Sequence, residues 1–321
     1  MSVEFRPAVK SDRNAILELF EAAFKSPADP ADLAWKYDEN PHPAVSVIAI
    51  EDGRAVGLIG AVGTRYRGLG MDQRGNSLVD VMTHPGARAL GKAALFKRLT
   101  EAFRRINAGT GVLFDFGFPH ERARKIEERL GGCVTAEPCG ERGRPLDAPP
   151  LLGRIRRRLL RVREGEPFGR PHEALAEALH ARSGWRTDRS VRTLAWRFSR
   201  PGFVYRSVQL LDAGGRSRAY AVVSIRDRKA LLVDLQVRSE TDGTLADLLA
   251  AVHERLAGAD AVRMVLRSPQ EGLLGKRLVG ELGFAPEPSD TVLLMHPVAE
   301  GFDFVAPGRT FDYRFSDHDV F

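Results

Sequence analysis

A five-residue pattern occurs twice in the chain, and the two occurrences lie 161 residues apart. The first covers Leu33–Tyr37 (LAWKY) and precedes Pro41, and the second covers Leu194–Phe198 (LAWRF) and precedes Pro201. Two later segments repeat in the same order, each with a strand-like run that ends in proline and a helix-like run that ends in Leu-Gly. Several matches in one order indicate two copies of one fold. The 321 residues are enough for two domains of ordinary size.

The hydrophobic patterns predict a similar order of elements in both halves. The first half has predicted strands at 3–7, 45–51, 54–64, 75–83 and 111–118, predicted helices at 11–24, 87–105 and 120–130, and a final short strand. The second half has predicted strands at 203–211, 218–226, 229–238, 261–267 and 290–297, and predicted helices at 243–257 and 270–282. Strands and helices that alternate after an antiparallel start predict an α/β protein with two tandem mixed-sheet domains.

Proline and glycine cluster between the halves, and this composition favours a domain boundary there. We predict a first domain over residues 1–137, a linker over 138–172 and a second domain over 173–321. Between Pro138 and Arg170 the linker has nine arginines against four acidic residues, so it holds five of the six net positive charges.

Apolar residues within the linker recur at helical spacing, which predicts a basic amphipathic helix over Arg154–Arg163. Two interpretations of this helix stay open. It either docks its apolar stripe on a domain, or it binds an anionic partner such as a lipid surface, a nucleotide or a polyanionic glycan.

The composition excludes several classes of protein. No apolar run approaches the length of about 18–20 residues that spans a bilayer, and charged residues begin at Glu4, so neither a membrane span nor a signal segment is predicted. Cys133 and Cys139 are too few for a disulfide scaffold and lack metal-site spacing, which favours a cytoplasmic protein without metal. Because the excess of basic charge is confined to the linker, nucleic acid is an unlikely partner of the domains.

The segment between residues 79 and 93 carries the pattern of an anion-binding site. A β-rich run ends before a Pro-Gly turn at residues 85–86, and an amphipathic helix follows at once. The first N–H groups of a helix lack intrahelical partners, and the helix dipole adds partial positive charge. Small residues let the backbone approach phosphate closely. The segment supplies two small residues and two cations: Arg88, Gly91, Lys92 and Ala93.

Residues Arg88–Ala93 fit the acyl-CoA motif Gln/Arg-x-x-Gly-x-Gly/Ala, and here the chain resembles the GNAT superfamily of N-acyltransferases. The resemblance covers about residues 3–137, and the second half resembles the same fold without the motif. It implies acetyl-CoA, or another acyl-CoA, as co-substrate. It also implies transfer of the acyl group to a primary amine of a small molecule, such as an amino sugar or an amino-acid derivative.

The resemblance also implies which residues bind acyl-CoA. Backbone groups on the strand would pair with the pantetheine arm, and backbone N–H groups of the motif would hold the pyrophosphate. The implied binding residues are Val81, Met82, Thr83, Arg88, Ala89, Leu90, Gly91, Lys92 and Ala93.

Two catalytic residues are predicted, Asp80 and His120. Some members of the superfamily place a carboxylate base on the motif strand, where this chain has Asp80, and Asp115 on the next strand is a weaker rival. His120 replaces the family's asparagine, and it could bind pantetheine, act as the base or cap a helix. The tyrosine that often serves as the acid corresponds to Glu127, which suits this role only if its pKa is raised.

The second copy is predicted to be catalytically silent and to form a wall of the acceptor site. Its corresponding loop, residues 238–244, has acidic groups where phosphates would bind. The run Asp317–Asp319 either faces a cationic amine or lies in solvent. Two other functions stay open: a Fem-type aminoacyltransferase that uses aminoacyl-tRNA, with the arginine helix on RNA, and a non-catalytic CoA-binding protein. The intact motif argues against the first of these.

Overall fold

The computed structural model describes residues 2–68, 71–87, 89–148, 160–165, 168–180, 185–239, 242–269, 273–289, 291–298 and 311–317. The helices in these ranges are α1 Arg13–Phe24, α2 Pro30–Tyr37, α3 Lys92–Asn107, α4 Glu121–Gly131, α5 Arg170–His180, α6 Val191–Arg197, α7 Thr244–Arg255 and α8 Leu273–Leu282. None of them is long and apolar enough to cross a lipid bilayer.

The strands in the same ranges number fifteen. They are β1 Val3–Pro7, β2 Val47–Glu51, β3 Arg54–Gly68, β4 Met71–Thr83, β5 Val112–Gly117, β6 Val134–Pro145, β7 Arg161–Glu164, β8 Trp185–Thr187, β9 Arg206–Leu211, β10 Ser217–Arg226, β11 Lys229–Val237, β12 Arg263–Pro269, β13 Ala285–Glu287, β14 Val292–Pro297 and β15 Phe311–Asp312.

The first copy of the fold consists of β1–β5 and α1–α4. Strands β1 to β4 pair antiparallel in chain order, and β5 pairs parallel to β4. The apolar stripe of α3, which includes Leu95, Leu99 and Phe103, packs on one face of this sheet. Helices α1 and α2 cover the opposite face through Ile16, Leu19 and Leu33. The sheet is therefore buried between two helical layers.

The second copy repeats this arrangement with β9–β12 and α5–α8. Strands β9, β10 and β11 pair antiparallel, and β12 pairs parallel to β11. Leucines and alanines of α7 and α8 pack on one face, and α5 and α6 cover the other face. The predicted α/β fold with two tandem mixed-sheet domains is confirmed.

The repeated tryptophans lie together where the two copies meet. The Trp35 and Trp196 rings stack with centroids 4.8 Å apart and an interplanar angle of 13°. The indole N–H of Trp35 donates to the carbonyl of Trp196 at 2.7 Å, and the indole N–H of Trp196 donates to the carbonyl of Trp35 at 2.9 Å. This reciprocal pair relates the copies by a local twofold axis, as in an isologous interface between identical subunits.

The two copies also exchange strands. Strand β14, from the C-terminal half of the chain, lies between β5 and β6 and pairs antiparallel with both. Strand β6 continues past residue 137 and pairs with β12 and β13 of the second copy. Strand 290–297 was expected to belong to the second domain alone, whereas its counterpart in the structure completes the sheet of the first copy. The division at residues 137 and 172 stays a prediction.

Other expectations differ from the structure in detail. Helix α3 begins at Lys92 and not at residue 87, because residues 89–91 form a loop that ends in Gly91. Residues 161–164 form strand β7, which pairs with β9, and not the end of a helix. The rest of the predicted basic helix, Arg154–Leu159, lies outside the described residues. Helices α2 and α6, which carry the repeated pattern, were not predicted.

We expect Trp35→Phe and Trp196→Phe each to lower the free energy of unfolding by about 2–3 kcal/mol. Each change leaves a buried carbonyl without its donor and removes part of a stacked ring. Chemical denaturation measures the loss, with the half-exposed Phe24→Leu as a surface control. Loss of less than about 0.5 kcal/mol in both variants would show that the pair does not stabilise the junction.

Candidate functional site

Strands β4 and β5 pair over only part of their length. Their parallel register runs from Arg74↔Val112 to Ser77↔Phe116, and β4 then continues to Thr83 without β5 beside it. Beyond Ser77 the edge of β4 that faces β5 has lost its strand partner. Backbone N–H and C=O groups at such an edge need another partner. The divergence thus creates a place where an extended ligand could pair with β4.

A β-bulge in β4 accompanies this divergence. The register with β3 shifts between Leu58↔Met82 and Gly60↔Val79, so that two residues of β4, Asp80 and Val81, face one residue of β3. Asp80 has a φ of +50°, in the left-handed region. Its carboxylate accepts a hydrogen bond from the Tyr37 hydroxyl at 2.7 Å and pairs with the Lys36 ammonium at 3.0 Å. These contacts stabilise the bulge from the α2 side.

The second copy has the same device. Strand β11 contains one extra residue between Leu232 and Asp234 relative to β10. Asp234 accepts a hydrogen bond from the Tyr220 hydroxyl at 2.8 Å and pairs with the Arg189 guanidinium at 2.9 Å. Asp80 and Asp234 are therefore equivalent, and holding the bulge is common to both copies.

A cleft of about 390 Å³ lies next to the diverging part of β4, between α3 and α4. Of the predicted acyl-CoA residues, Val81, Met82, Thr83, Lys92 and Ala93 line it. Helix α4 contributes Arg122 and Arg129, two cations that the sequence analysis missed because α4 carries no phosphate motif. The cleft thus has a strand edge on one side and basic groups at the helix ends.

The motif loop before α3 is arranged as follows. Gly91 has φ +66° and ψ 158°, a conformation that only glycine adopts readily, and it is the N-cap residue of α3. No side chain among the described residues caps this helix, so its first N–H groups face outward. The Ala89 N–H donates to the Glu51 carboxylate at 2.7 Å, so an anion would compete with Glu51 there. Leu90 packs against the core beneath α3, and Arg88 lies outside the described residues.

A smaller chamber of about 30 Å³ adjoins the cleft and shares Val81, Phe96 and Glu127 with it. Burial raises the pKa of the Glu127 carboxyl to about 7. Asp115, on β5, also lines the chamber, and burial raises its pKa to about 7 against the opposing effects of Asn76 and Arg104. Both carboxyls are therefore partly protonated at neutral pH. The condition that the sequence analysis set for Glu127 as an acid is met.

The two predicted catalytic residues lie apart from the residues that line the cleft. Asp80 faces α2, with its carboxylate bound by Lys36 and Tyr37. His120 is exposed and caps α4, since its Nδ1 accepts a hydrogen bond from the Ala123 N–H at 3.4 Å. Their catalytic roles stay predictions. His84 is buried and its Nδ1 accepts from the Gly86 N–H, which holds the turn.

In the second copy the corresponding space is filled by the chain itself. Strands β11 and β12 pair only as far as Leu232↔Leu266 and then diverge. Phe315 packs against residues of both strands, and the Arg314 Nε donates to the Leu235 carbonyl at 3.3 Å. Leu235 is the equivalent of Val81, because each follows the aspartate of its bulge. A carboxylate also caps α7, where Asp242 accepts from the Thr244 N–H at 2.9 Å.

Asp317 belongs to the same tail segment and is buried. It pairs with the Arg189 guanidinium at 2.8 Å and accepts from the Thr187 hydroxyl at 2.6 Å. It therefore faces neither solvent nor an amine, because burial of its charge requires these partners. Residues 318 and 319 lie outside the described residues.

No protein-family model and no curated protein matches the sequence. Solved structures do match the fold. A probable N-acyltransferase from Enterococcus faecalis V583 superposes with a TM-score of 0.72 at 13% identity, covering 93% of this chain and 73% of that one. A tandem GNAT protein from the clavulanic acid biosynthesis pathway has a TM-score of 0.59 at 16% identity, covering 94% of this chain and 100% of that one.

Eis1 from Mycobacterium abscessus has a TM-score of 0.64 at 14% identity, covering 92% of this chain and 74% of that one. At these identities the likeness shows the fold alone. The chain has the GNAT fold, in the tandem form with two copies. The predicted resemblance to this superfamily is confirmed at the level of the fold.

We expect Asp115→Asn to stabilise the protein at high pH and to have little effect at low pH. The folded-state pKa of Asp115 is raised, so stability is greatest below the unfolded pKa near 4 and falls as pH rises through about 7. The neutral amide removes this loss, and the gain at pH 8.5 is on the order of 2–4 kcal/mol. Urea denaturation at pH 5 and pH 8.5 measures it, and equal gains at both pH values would contradict the expectation.

Proposed function

We propose that the protein is an acyl-CoA-dependent N-acyltransferase that acts on a primary amine of a small molecule. The observation that carries this proposal is the divergence of β4 from β5 beside an uncapped helix N-terminus, with a partly protonated carboxyl at the inner end of the same cleft. An amino sugar or an amino-acid derivative is the proposed acceptor.

The residues of the cleft fit acyl-CoA. The free edge of β4 at Val81 and Thr83 matches the amide groups of a pantetheine arm, which pair as a strand does. The outward N–H groups at the start of α3 suit the pyrophosphate. Lys92, Arg122 and Arg129 add positive charge around it. When bound, acyl-CoA supplies a thioester carbonyl that is open to attack by an amine.

Glu127 is the proposed acid. It lies on α4 where the cleft meets the inner chamber, and its raised pKa leaves a proton on the carboxyl at neutral pH. As the C–N bond forms and the C–S bond breaks, Glu127 gives this proton to the departing sulfur. A positioned acid of matched pKa contributes about 10²–10⁴ to the rate.

For the base we propose Asp80, with His120 as the alternative. The Asp80 carboxylate lies on the α2 side of the sheet, from which an acceptor could reach the thioester without displacing the donor. Its hydrogen bonds to Tyr37 and Lys36 fix its direction, and they also reduce its basicity, because both donors favour the ionised form.

One donor site per chain is part of the proposal. The second copy has its own tail segment across the diverging strands and an acidic cap on α7, and both features oppose an anionic cofactor. The second copy instead contributes structure to the first, through β14 and the tryptophan pair.

We expect Ala93→Glu to weaken acetyl-CoA binding about 10- to 100-fold more than Ala93→Gln does. The two side chains have the same shape, but only glutamate places a negative charge beside the pyrophosphate at the start of α3. Calorimetry measures the Kd and the stoichiometry, which we expect to be one per chain. Equal affinities in the two variants, or a stoichiometry near two, would contradict the proposed site.

Asp80→Asn should lower kcat by about 10²–10⁴ with little change in the Kd for acetyl-CoA. Asparagine tolerates the left-handed backbone at this position and can still accept the Tyr37 hydrogen bond, so the bulge is retained. The matched change His120→Gln should leave kcat within a few-fold of the wild type. A fall in turnover with His120→Gln and none with Asp80→Asn would transfer the role of base to His120.

A further inference from the structure

Three polar side chains form a row across three neighbouring strands of the first-copy sheet. The strand registers place Asn76 on β4 opposite Asp115 on β5, and Asp115 opposite His296 on β14. The Asn76 amide donates to one oxygen of the Asp115 carboxyl at 3.0 Å. The His296 Nδ1 lies 4.0 Å from the other oxygen. The second half of the chain thus supplies one member of a row in the first copy.

This row ends at the inner chamber. Asp115 is 2% exposed, and both it and His296 line the chamber together with Glu127. A volume of about 30 Å³ exceeds the roughly 10–15 Å³ that one water molecule needs, and the walls offer several polar partners. A water molecule in the chamber can therefore bridge the Asp115 and Glu127 carboxyls.

We propose that Asp115, held between Asn76 and His296, is a positioning residue that stabilises Glu127 through a water molecule in the inner chamber. This inference rests on the proposed function. A buried carboxyl of this kind has no other evident duty, since among the described residues no cation forms an ion pair with it and its contacts all lie within the row and the chamber.

The proton balance is as follows. Protonated Glu127 gives its proton to the sulfur of CoA and becomes a carboxylate. The bridging water donates a hydrogen bond to this carboxylate, and protonated Asp115 donates to the water. The negative charge that forms on Glu127 is thereby shared along the bridge, while the proton from the amine leaves with the base. Glu127 regains a proton from solvent after the thiol departs.

The charged and titratable groups around the bridge favour this assignment. Arg104 of α3 lies at the chamber and donates to the Gly131 carbonyl. Burial and Arg104 lower the pKa of His296 to about 4, so His296 is neutral at pH 7. Burial and Glu127 raise the pKa of Cys133 to about 12, so its thiol keeps its proton. Asp115 and Glu127 are thus the two groups in the chamber that titrate near neutral pH.

The test is an infrared titration of the protein without ligand, combined with steady-state kinetics. The protonated carboxylic acid band should disappear in two coupled steps around pH 7. Glu127→Gln should shift the midpoint of the remaining step by at least half a pH unit, because coupled carboxyls titrate as a pair. An unchanged midpoint for Asp115 in the Glu127→Gln variant would overturn the proposal, whether or not the protein transfers acyl groups.

In the kinetic arm, Asp115→Asn should lower kcat about 10- to 100-fold, with the Kd for acetyl-CoA and the KM for the amine within twofold of the wild type. The loss of kcat at high pH should change from two ionisations to one. The control is Asp247→Asn, an equally buried aspartate on α7 of the second copy, which should keep the wild-type pH profile. A wild-type kcat and pH profile in Asp115→Asn would overturn the proposal. Absence of acetyl-CoA binding would instead remove the proposed function.

Discussion

The divergence of β4 from β5 after Ser77 is the constraint on which the site depends. A strand that leaves its neighbour exposes backbone N–H and C=O groups, and these must find other partners. The bulge at Asp80 turns β4 away from β5, and the Lys36 and Tyr37 contacts hold the turned strand in place. The cleft, the exposed start of α3 and the approach to Glu127 all follow from this one departure from regular pairing.

The second copy shows the same constraint satisfied without a ligand. Asp234 holds an equivalent bulge, and β11 also leaves β12. There the tail segment 311–317 packs across the gap, and Arg314 donates to the carbonyl that corresponds to Val81. Two copies of one fold thus solve one problem in two ways. The copy that fills its own gap keeps only a structural duty.

The two copies cannot be regarded as independent units. The Trp35–Trp196 pair satisfies two buried backbone carbonyls across the junction, and β14 completes the first sheet with residues from the far end of the chain. Through β14, the second half places His296 beside Asp115. A half-chain would lack this strand and would leave β5 with an open edge, which is a liability in a β-sheet. Tandem organisation therefore contributes to the chemistry of the chamber as well as to stability.

The sequence by itself determined the repeat, the α/β class and the strand–loop–helix with Gly91 and Ala93, because these depend on local patterns and on residues with special backbone freedom. It also located Glu127 by spacing but not its protonation, since a raised pKa depends on burial by residues distant in the chain. Only the tertiary structure decided that β14 joins the first sheet, that residues 311–317 fill the second cleft and that Asn76, Asp115 and His296 align. Strand pairing between segments separated by more than 150 residues leaves no local signal, because pairing partners are selected by packing and hydrogen-bond satisfaction in the assembled fold.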